Sequence, residues 1–301
     1  MIMRPTRAGH AVPFTDRPRH QTLDPLPARC RNKAHGMTGN RPMHAVLFDL
    51  DGVLYQGENA IPGAAETMTW FTDRKIPYLF VTNTSSRPRT VLVEKLERFG
   101  IAANPADILT PAVAAVTWLK QHTDGTVGLF VSDATLSEFA GLPIATDDER
   151  GVGAVVIGDL GDGWSFERLN RAFRMLMADP QPHLLALGMT RYWRATDGLR
   201  LDTAPFVVAL EHAANVKAKV FGKPAARFFQ SALDQLGLPA NDVYMIGDDI
   251  RSDIDAAQRL RIRGILVKTG KFRTEDLDLD ITPWAVIGSI TELPAWWETN
   301  G

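Results

Sequence analysis

The chain has 301 residues, 45% of them hydrophobic and 23% charged, which is an ordinary soluble composition and enough for one large domain or two smaller ones. Residues 1–42 have a net charge of +6 and the remaining residues a net charge of −8. The folded part therefore lacks the basic surface that is typical of a nucleic-acid-binding protein. Cys30 is the only cysteine, which excludes an internal disulfide and a thiolate metal cluster. There is no membrane-spanning apolar run and no signal-peptide core, so we expect a cytoplasmic protein with no membrane partner.

The first 42 residues contain six prolines among scattered arginines and show no helical or strand periodicity. We expect a disordered N-terminal extension. An arginine-rich, acid-poor leader is also typical of a transit peptide, but prolines break the amphipathic helix that such a peptide needs. An upstream extension or a misassigned start, with Met37 or Met43 opening the functional chain, is the favoured interpretation.

The first predicted element is a buried strand at Ala45–Phe48, followed at once by Asp49, Asp51 and Gly52. An apolar run of this length is typical of parallel sheets, whose ligands collect at the carboxyl ends of the strands. Two carboxylates this close repel each other unless a cation or a shared proton relieves them. The alternative is a pair of turn residues, which is our interpretation of the similar run at Asp276–Asp280, where no strand precedes and no glycine follows.

The next strand, Pro77–Val81, follows a predicted helix at 62–75 and ends at Thr82 and Asn83. Hydroxyl and amide groups at a strand end can bind phosphate oxygens, although most such clusters are turns. Two further helices are predicted at 89–99 and 112–121.

Residues 123–216 alternate between strand and helix patterns, which predicts a second α/β unit inserted into the first. The strands are predicted at 127–131, 154–157 and 184–187, and the helices at 136–140, 166–178 and 206–214. The glycines at 151–161 flank a strand instead of linking a strand to a helix in G-x-G-x-x-G order, which argues against a nucleotide-binding oxidoreductase.

The strand predicted at Ala218–Phe221 returns to the first sheet and ends at Gly222 and Lys223. Lys223 precedes a predicted helix whose first residue is Pro224. A lysine there faces the positive end of the helix dipole, so an anionic partner is expected. The strand Val243–Gly247 then runs into three aspartates, Asp248, Asp249 and Asp253, which would repel one another without a cation. The histidines are scattered, so a hard cation on carboxylates, Mg²⁺, is favoured over zinc.

These patterns predict an α/β protein with a three-layer, Rossmann-like core of parallel strands and an inserted α/β cap. Residues 43–122 and 217–301 are expected to form the core, and residues 123–216 the cap. Because parallel strands bring their carboxyl ends to one edge, the aspartates, Thr82 and Lys223 are expected to share one site.

The order Asp49-x-Asp51, Thr82, Lys223 and Asp248/Asp249/Asp253 resembles the four motifs of the haloacid dehalogenase superfamily of phosphatases, and the resemblance covers residues 43–299. The inserted unit is similar to the C2-type cap of the IIA subgroup. Several strings are most similar to the phospholysine phosphohistidine inorganic pyrophosphate phosphatase branch, among them residues 169–174, 191–193, 197–199, 205–211 and 267–273.

The resemblance implies a Mg²⁺ ion bound by the carboxylates of Asp49 and Asp248 and by the backbone carbonyl of Asp51. Asp249 and Asp253 would support these ligands, directly or through water. Asp49 would be the nucleophile that forms an aspartyl-phosphate, and Asp51 the acid and later the base.

Lys223, Thr82 and Asn83 would bind the phosphoryl group, and Lys223 would also take part in catalysis by cancelling its charge. In the cap, Asp133 and Arg191 are candidate specificity residues; a capping turn and a surface charge are the alternatives. Members of the subgroup often dimerise through the cap, which makes a homodimer an expectation.

The implied substrate is a small phosphorylated metabolite: a phosphomonoester, a phosphoramidate or pyrophosphate. Members of the branch can carry serine at the position of Asp51, so the acid here favours ordinary phosphomonoesterase chemistry. Two alternatives remain: a dehalogenase that uses the same Asp49 nucleophile, and a catalytically silent protein of the same fold that only binds a cation.

Overall fold

The computed structural model describes residues 44–146, 149 and 151–301. The extension predicted at 1–42 lies outside the described residues, as do Cys30 and both candidate start residues, Met37 and Met43. Among the described helices, none has the length and apolar character needed to cross a membrane.

The larger sheet has six parallel strands, which lie side by side in the order β14 (Ala285–Ile287), β13 (Arg263–Val267), β12 (Val243–Gly247), β1 (Ala45–Asp49), β4 (Tyr78–Val81) and β5 (Ile108–Leu109). All five residues of β1 are buried, as expected for a strand covered on both faces. Phe48 pairs with Ile246 on one side and Phe80 on the other, so β1, β4 and β12 end side by side.

Helices cover both faces of this sheet and give it three layers, each face with its own buried apolar cluster. The helix predicted after Thr110 begins where its cap indicates, because the Thr110 hydroxyl accepts the backbone N–H of Val113 at 3.3 Å. The helices of this part are α1 (Ala64–Asp73), α2 (Arg89–Arg98), α3 (Pro111–His122), α6 (Ala226–Leu236), α7 (Ala256–Gln258) and α8 (Leu293–Asn300). A π-helical turn, Ile250–Asp255, leads into α7.

A second, four-stranded parallel sheet contains the residues predicted to form an inserted α/β unit. Its strands are β6 (Val127–Phe130), β7 (Ala154–Ile157), β8 (His183–Ala186) and β11 (Lys219–Val220), and its helices are α4 (Phe166–Leu176) and α5 (Thr203–Ala214). The predicted fold class is therefore confirmed. The helix predicted at 136–140 is instead a 3-10 helix, Asp133–Phe139.

The strand β11 corrects one prediction, because it pairs with β8 of the second sheet and not with the first sheet. Its apolar residues indicated burial, but burial does not specify which sheet edge a strand joins. Lys223 therefore enters the site from the second sheet. The lysine precedes a helix, as predicted, but that helix, α6, begins at Ala226 and not at Pro224.

Two short hairpins complete the described structure, and neither was predicted. The first, β2 (Tyr55–Gln56) with β3 (Asn59–Ala60), follows directly on the loop of Asp51. The second, β9 (Tyr192–Ala195) with β10 (Gly198–Leu201), is mostly exposed.

Candidate active site

Three buried carboxylates meet at the carboxyl ends of β1 and β12. Asp49 ends β1, Asp248 follows β12, and Asp253 lies in the π-helical turn. One oxygen from each lies within 4.8 Å of the others, and all three residues are at most 6% exposed. Like charges this close and this dry are stable only with compensating positive charge.

The Lys223 ammonium supplies part of that charge. Its Nζ lies 2.8 Å from Asp49 Oδ2 and 2.7 Å from Asp253 Oδ1. Burial on its own would lower the pKa of Lys223, but the two carboxylates outweigh burial and raise this pKa. The anionic partner expected for this lysine is present, and the ammonium stays charged at neutral pH.

Asp248 has one satisfied oxygen and one orphan. Its Oδ2 accepts the backbone N–H of Lys271 at 2.7 Å, whereas its buried Oδ1 has no hydrogen-bond partner among the described residues. Burial raises the pKa of Asp248 to about 6. A buried acceptor without a donor is costly, so an ion at this point would satisfy a real deficit.

The donor set fits a hard divalent cation, since every group in the cluster offers a carboxylate oxygen. The membership differs in one respect from the predicted ligand set. The Asp253 carboxylate, predicted only as a support, belongs to the cluster. Asp51 was expected to bind the ion through its backbone carbonyl, and its side chain is exposed and lies outside the cluster. Its Oδ1 accepts the backbone N–H of Gly57 at 3.4 Å.

Asp249 caps the π-helical turn that follows β12. Its Oδ1 accepts the backbone N–H groups of Arg251 at 3.1 Å and Ser252 at 3.0 Å, which caps the π-helical turn. Burial would raise the pKa of Asp249, but the hydrogen bonds from Ser252 and the nearby Lys271 lower it. Asp249 is therefore an ionised anchor for the turn that carries Asp253.

Thr82 and Asn83 follow β4, directly beside β1. Thr82 is 4% exposed, and its hydroxyl accepts the backbone N–H of Thr84 at 3.1 Å. The Asn83 amide forms a two-point clamp on the backbone of Lys223: its Oδ1 accepts the Lys223 N–H at 2.7 Å, and its Nδ2 donates to the Lys223 carbonyl at 2.9 Å. Asn83, which was predicted to bind phosphate, thus holds Lys223 in place and has one N–H of its Nδ2 left for a phosphate oxygen.

Two neighbours of the cluster were missed from the sequence. Tyr55 is 4% exposed, and its pKa is raised above the usual range by burial and then by the charge of Asp51. The Lys95 ammonium lies 4.1 Å from the Tyr55 ring centroid and 3.3 Å from Glu58 Oε1. The only sign of Tyr55 in the sequence was its position four residues after Asp51.

Lys271 is the second missed residue. Its backbone contacts Asp248, and its Nζ lies 3.6 Å from Asp249 Oδ2. Burial on its own would lower the pKa of Lys271, but the surrounding carboxylates, Asp248 first, raise it. In the sequence, Lys271 belongs to the string 267–273. We used that string as evidence of the family resemblance and assigned no chemical role to its residues.

The two cap candidates lie apart from the cluster. Asp133 is exposed at the start of its 3-10 helix and lines a cavity of about 570 Å³ with Arg168, Arg171 and Arg174. The exposed Arg191 guanidinium lies 5.8 Å from the ring centroid of the adjacent Tyr192. Within the part of the chain that the structure describes, neither side chain bonds to the clustered carboxylates.

Three buried carboxylates, an ammonium and a hydroxyl that meet at one edge of a parallel sheet are typical of a phosphoryl-transferring hydrolase. The comparisons agree. The sequence model of the haloacid dehalogenase-like hydrolases matches residues 46–144, and a second model, of HAD-hydrolase-like proteins, matches residues 220–293. The chain belongs to the haloacid dehalogenase-like hydrolases, in the IIA subgroup, and is a phosphatase of that family.

Curated relatives cover most of the chain. The phospholysine phosphohistidine inorganic pyrophosphate phosphatase of Bos taurus is 40% identical over 238 residues, which are 78% of this chain and 86% of the relative. The haloacid dehalogenase-like hydrolase domain-containing protein 2 of Mus musculus is 39% identical over 240 residues, which are 80% and 90% of the two chains.

Solved structures share the whole architecture. A hypothetical protein from Pyrococcus horikoshii OT3 superposes with a TM-score of 0.78 at 28% identity, and covers 85% of this chain and 100% of its own. The p-nitrophenyl phosphatase from Archaeoglobus fulgidus gives a TM-score of 0.76 at 27% identity, with the same coverage of both chains.

Proposed function

We propose that this phosphatase hydrolyses small phosphorylated metabolites through a covalent aspartyl-phosphate on Asp49. The observation that carries the proposal is the pairing of the Asp49 carboxylate with the buried Lys223 ammonium at 2.8 Å, beside Asp248 and Asp253. A carboxylate nucleophile needs cationic groups that cancel the negative oxygens of the phosphoryl group before it can approach phosphorus.

The hydrogen bonds of Asp49 fix its direction. Its Oδ1 accepts the backbone N–H of Leu50 at 2.8 Å, and its Oδ2 faces Lys223. In the first step a carboxylate oxygen of Asp49 forms a bond to phosphorus while the bond from phosphorus to the leaving group breaks. In the second step water attacks the same phosphorus, releases inorganic phosphate and regenerates the carboxylate.

Asp51 supplies the protons. Its carboxyl is exposed, as a group that must exchange protons with a leaving group and with water requires. In the first step the carboxyl donates its proton to the departing oxygen or nitrogen. In the second step the carboxylate takes a proton from the attacking water and is ready for the next cycle.

The cofactor we propose is Mg²⁺, bound by the carboxylates of Asp49 and Asp248 and by the backbone carbonyl of Asp51. The orphan oxygen of Asp248 and the all-carboxylate donor set support this choice. When bound, the ion would neutralise phosphoryl oxygens. Lys223 and the buried Thr82 hydroxyl would bind the remaining oxygens, while Asn83 holds the lysine backbone.

The substrate class we propose includes phosphomonoesters, phosphoramidates and pyrophosphate. Two observations support it: relatives at 40% and 39% identity are named for phospholysine, phosphohistidine and inorganic pyrophosphate, and a solved relative is named for p-nitrophenyl phosphate. The dehalogenase alternative is disfavoured by Asp51, because halide departure needs no proton donor.

The segment predicted as the start of the cap is bound to the loop after Thr82. The Thr135 hydroxyl donates to the Ser85 carbonyl at 2.9 Å, and Glu138 accepts the backbone N–H and the Nε of Arg89 at 2.7 and 2.8 Å. We infer that Asp133, two residues before the Thr135 anchor, is positioned to act on specificity. We also propose a core of 43–122 and 217–301 and a cap of 123–216, with β11 (Lys219–Val220) extending the cap sheet past that boundary, and a specificity role for Arg191.

The test is release of phosphate from p-nitrophenyl phosphate. The wild type is expected to be active with Mg²⁺ and inactive in excess chelator, and Asp49→Asn to be inactive in both. Asp73→Asn, an exposed carboxylate at the end of α1, is the matched control and should retain full activity. Activity that persists in Asp49→Asn would contradict the covalent mechanism.

A further inference from the structure

The loop Lys268–Lys271, directly after β13, lies against the clustered carboxylates. The Thr269 hydroxyl donates to the Gly52 carbonyl, and the Lys271 N–H donates to Asp248 Oδ2 at 2.7 Å. A Cβ on Gly270 would come within 2.0 Å of the same Asp248 oxygen, so the loop backbone touches that carboxylate. The backbone of Lys271 is therefore held in place by the same loop and carboxylate that form the site.

The two ammonium groups beside the cluster differ in exposure. The side chain of Lys223 is 3% exposed and forms two short ion pairs, whereas that of Lys271 is 68% exposed. Its one ion pair among the described residues, with Asp249, has a separation of 3.6 Å, longer than a hydrogen bond. A solvated pair of this kind contributes little, so the Lys271 ammonium can turn to another anion at small cost.

The place of Lys271 relative to the reaction follows from the same contacts. The transferred phosphoryl group must meet the buried Asp49 and Lys223, so the leaving group extends toward the exposed side of the cluster. Asp51, the proposed proton donor, lies on that side, and the loop of Lys271 touches the adjacent Gly52. An ammonium there meets the leaving group and not the transferred phosphoryl group.

The geometry points to Lys271 as a specificity-determining residue that favours substrates whose leaving group is itself anionic, a carboxylate-bearing alcohol or a second phosphate. This inference rests on the proposed function, because it assigns the leaving-group side from the role of Asp49. A Lys271 that served only to hold its loop would instead affect all substrates by the same factor.

The experiment compares kcat/KM for four probes that differ in leaving-group charge. Pyrophosphate and phosphoglycolate have anionic leaving groups, p-nitrophenyl phosphate an uncharged substituent, and phosphoethanolamine a cationic one. Lys271→Gln is expected to lower kcat/KM for the anionic probes about fivefold more than for p-nitrophenyl phosphate, which is the upper range for an exposed ion pair. Phosphoethanolamine should lose least.

Two further variants complete the test. Lys271→Arg keeps the charge and should keep the wild-type ratio between probes. Lys268→Gln removes an exposed lysine from the same loop and should also leave the ratio unchanged. An equal loss for all four probes in Lys271→Gln, or an equal change of the ratio in Lys268→Gln, would overturn the assignment.

The outcomes separate this inference from the function beneath it. A wild type that hydrolyses p-nitrophenyl phosphate through Asp49 but neither anionic probe would overturn the role of Lys271 alone. The same holds for a wild-type ratio retained in Lys271→Gln. A wild type that hydrolyses none of the probes would remove the proposed function, and this inference with it.

Discussion

The buried carboxyl group of Asp248, whose Oδ1 has no hydrogen-bond partner among the described residues, gives a stability prediction that does not depend on any substrate. Burial raises its pKa from 3.8 to about 6 in the folded protein. A group that holds its proton more tightly when folded makes the folded state lose stability as the pH rises from its unfolded to its folded pKa. In the metal-free protein, ionised Asp248 is therefore a cost at neutral pH, which Asp248→Asn removes.

The magnitude follows from the shift of about two pKa units, each equivalent to about 1.4 kcal/mol, and is about 3 kcal/mol. The free energy of unfolding of Asp248→Asn minus that of the wild type is expected to rise by about 2.5 kcal/mol of this between pH 4 and pH 7.5, because the unfolded-state carboxyl is already more than half ionised at pH 4. For a chain of this length, the gain corresponds to about 6–12 °C in the melting temperature at pH 7.5.

The assay is urea unfolding in chelator at several pH values, followed by the same series with Mg²⁺. Mg²⁺ should stabilise the wild type through the ionised carboxylate and have little effect on Asp248→Asn. The exposed Asp133→Asn is the control, with a change below about 0.5 kcal/mol. A wild-type-to-variant difference that is constant from pH 4 to 7.5 would refute the reasoning.

Three other predictions concern the groups around the cluster. Asn83→Ala removes two hydrogen bonds from the backbone of Lys223, worth about 2 kcal/mol together, and should lower kcat for p-nitrophenyl phosphate about 30-fold; a kcat within twofold of the wild type would contradict the clamp. Lys223→Met leaves Asp49 and Asp253 without their buried cation and should destabilise the metal-free protein by about 3–5 kcal/mol in urea unfolding. Glu138→Ala leaves the Arg89 groups unpaired and should cost about 1–3 kcal/mol, measured by thermal unfolding, and an unchanged melting temperature would count against this link.

Much of the fold could be predicted because local sequence patterns, such as apolar runs and helix caps, indicate individual strands and helices. Continuous apolar runs identified β1, β7 and β12, and the Thr110–Pro111 cap fixed the start of α3. What failed depended on pairing partners that no local pattern encodes. The residues of β11 looked like any buried strand, and the second sheet offered the edge that they joined.

The site shows the same division between residue type and geometry. The carboxylates, Thr82 and Lys223 became candidates because charged and polar groups at the ends of buried strands need a partner, such as an ion or a ligand. Their division of labour was not predictable: Asn83 binds the Lys223 backbone, and Asp253 lies within the carboxylate cluster. Tyr55 was missed because its burial and its contact with Lys95 depend on the fold. Lys271 was missed because it contacts Asp248 from 23 residues further along the chain.

The most direct test of the account is whether Asp49 becomes phosphorylated during turnover. Asp51→Asn, which lacks the base for the second step, is mixed with p-nitrophenyl phosphate and Mg²⁺, quenched in acid and digested for mass spectrometry. We predict one phosphoryl group on the peptide that contains Asp49, and none in the double variant with Asp49→Asn. Turnover by the wild type with no protein-bound phosphate in Asp51→Asn, or with phosphate on another residue, would contradict the central claim.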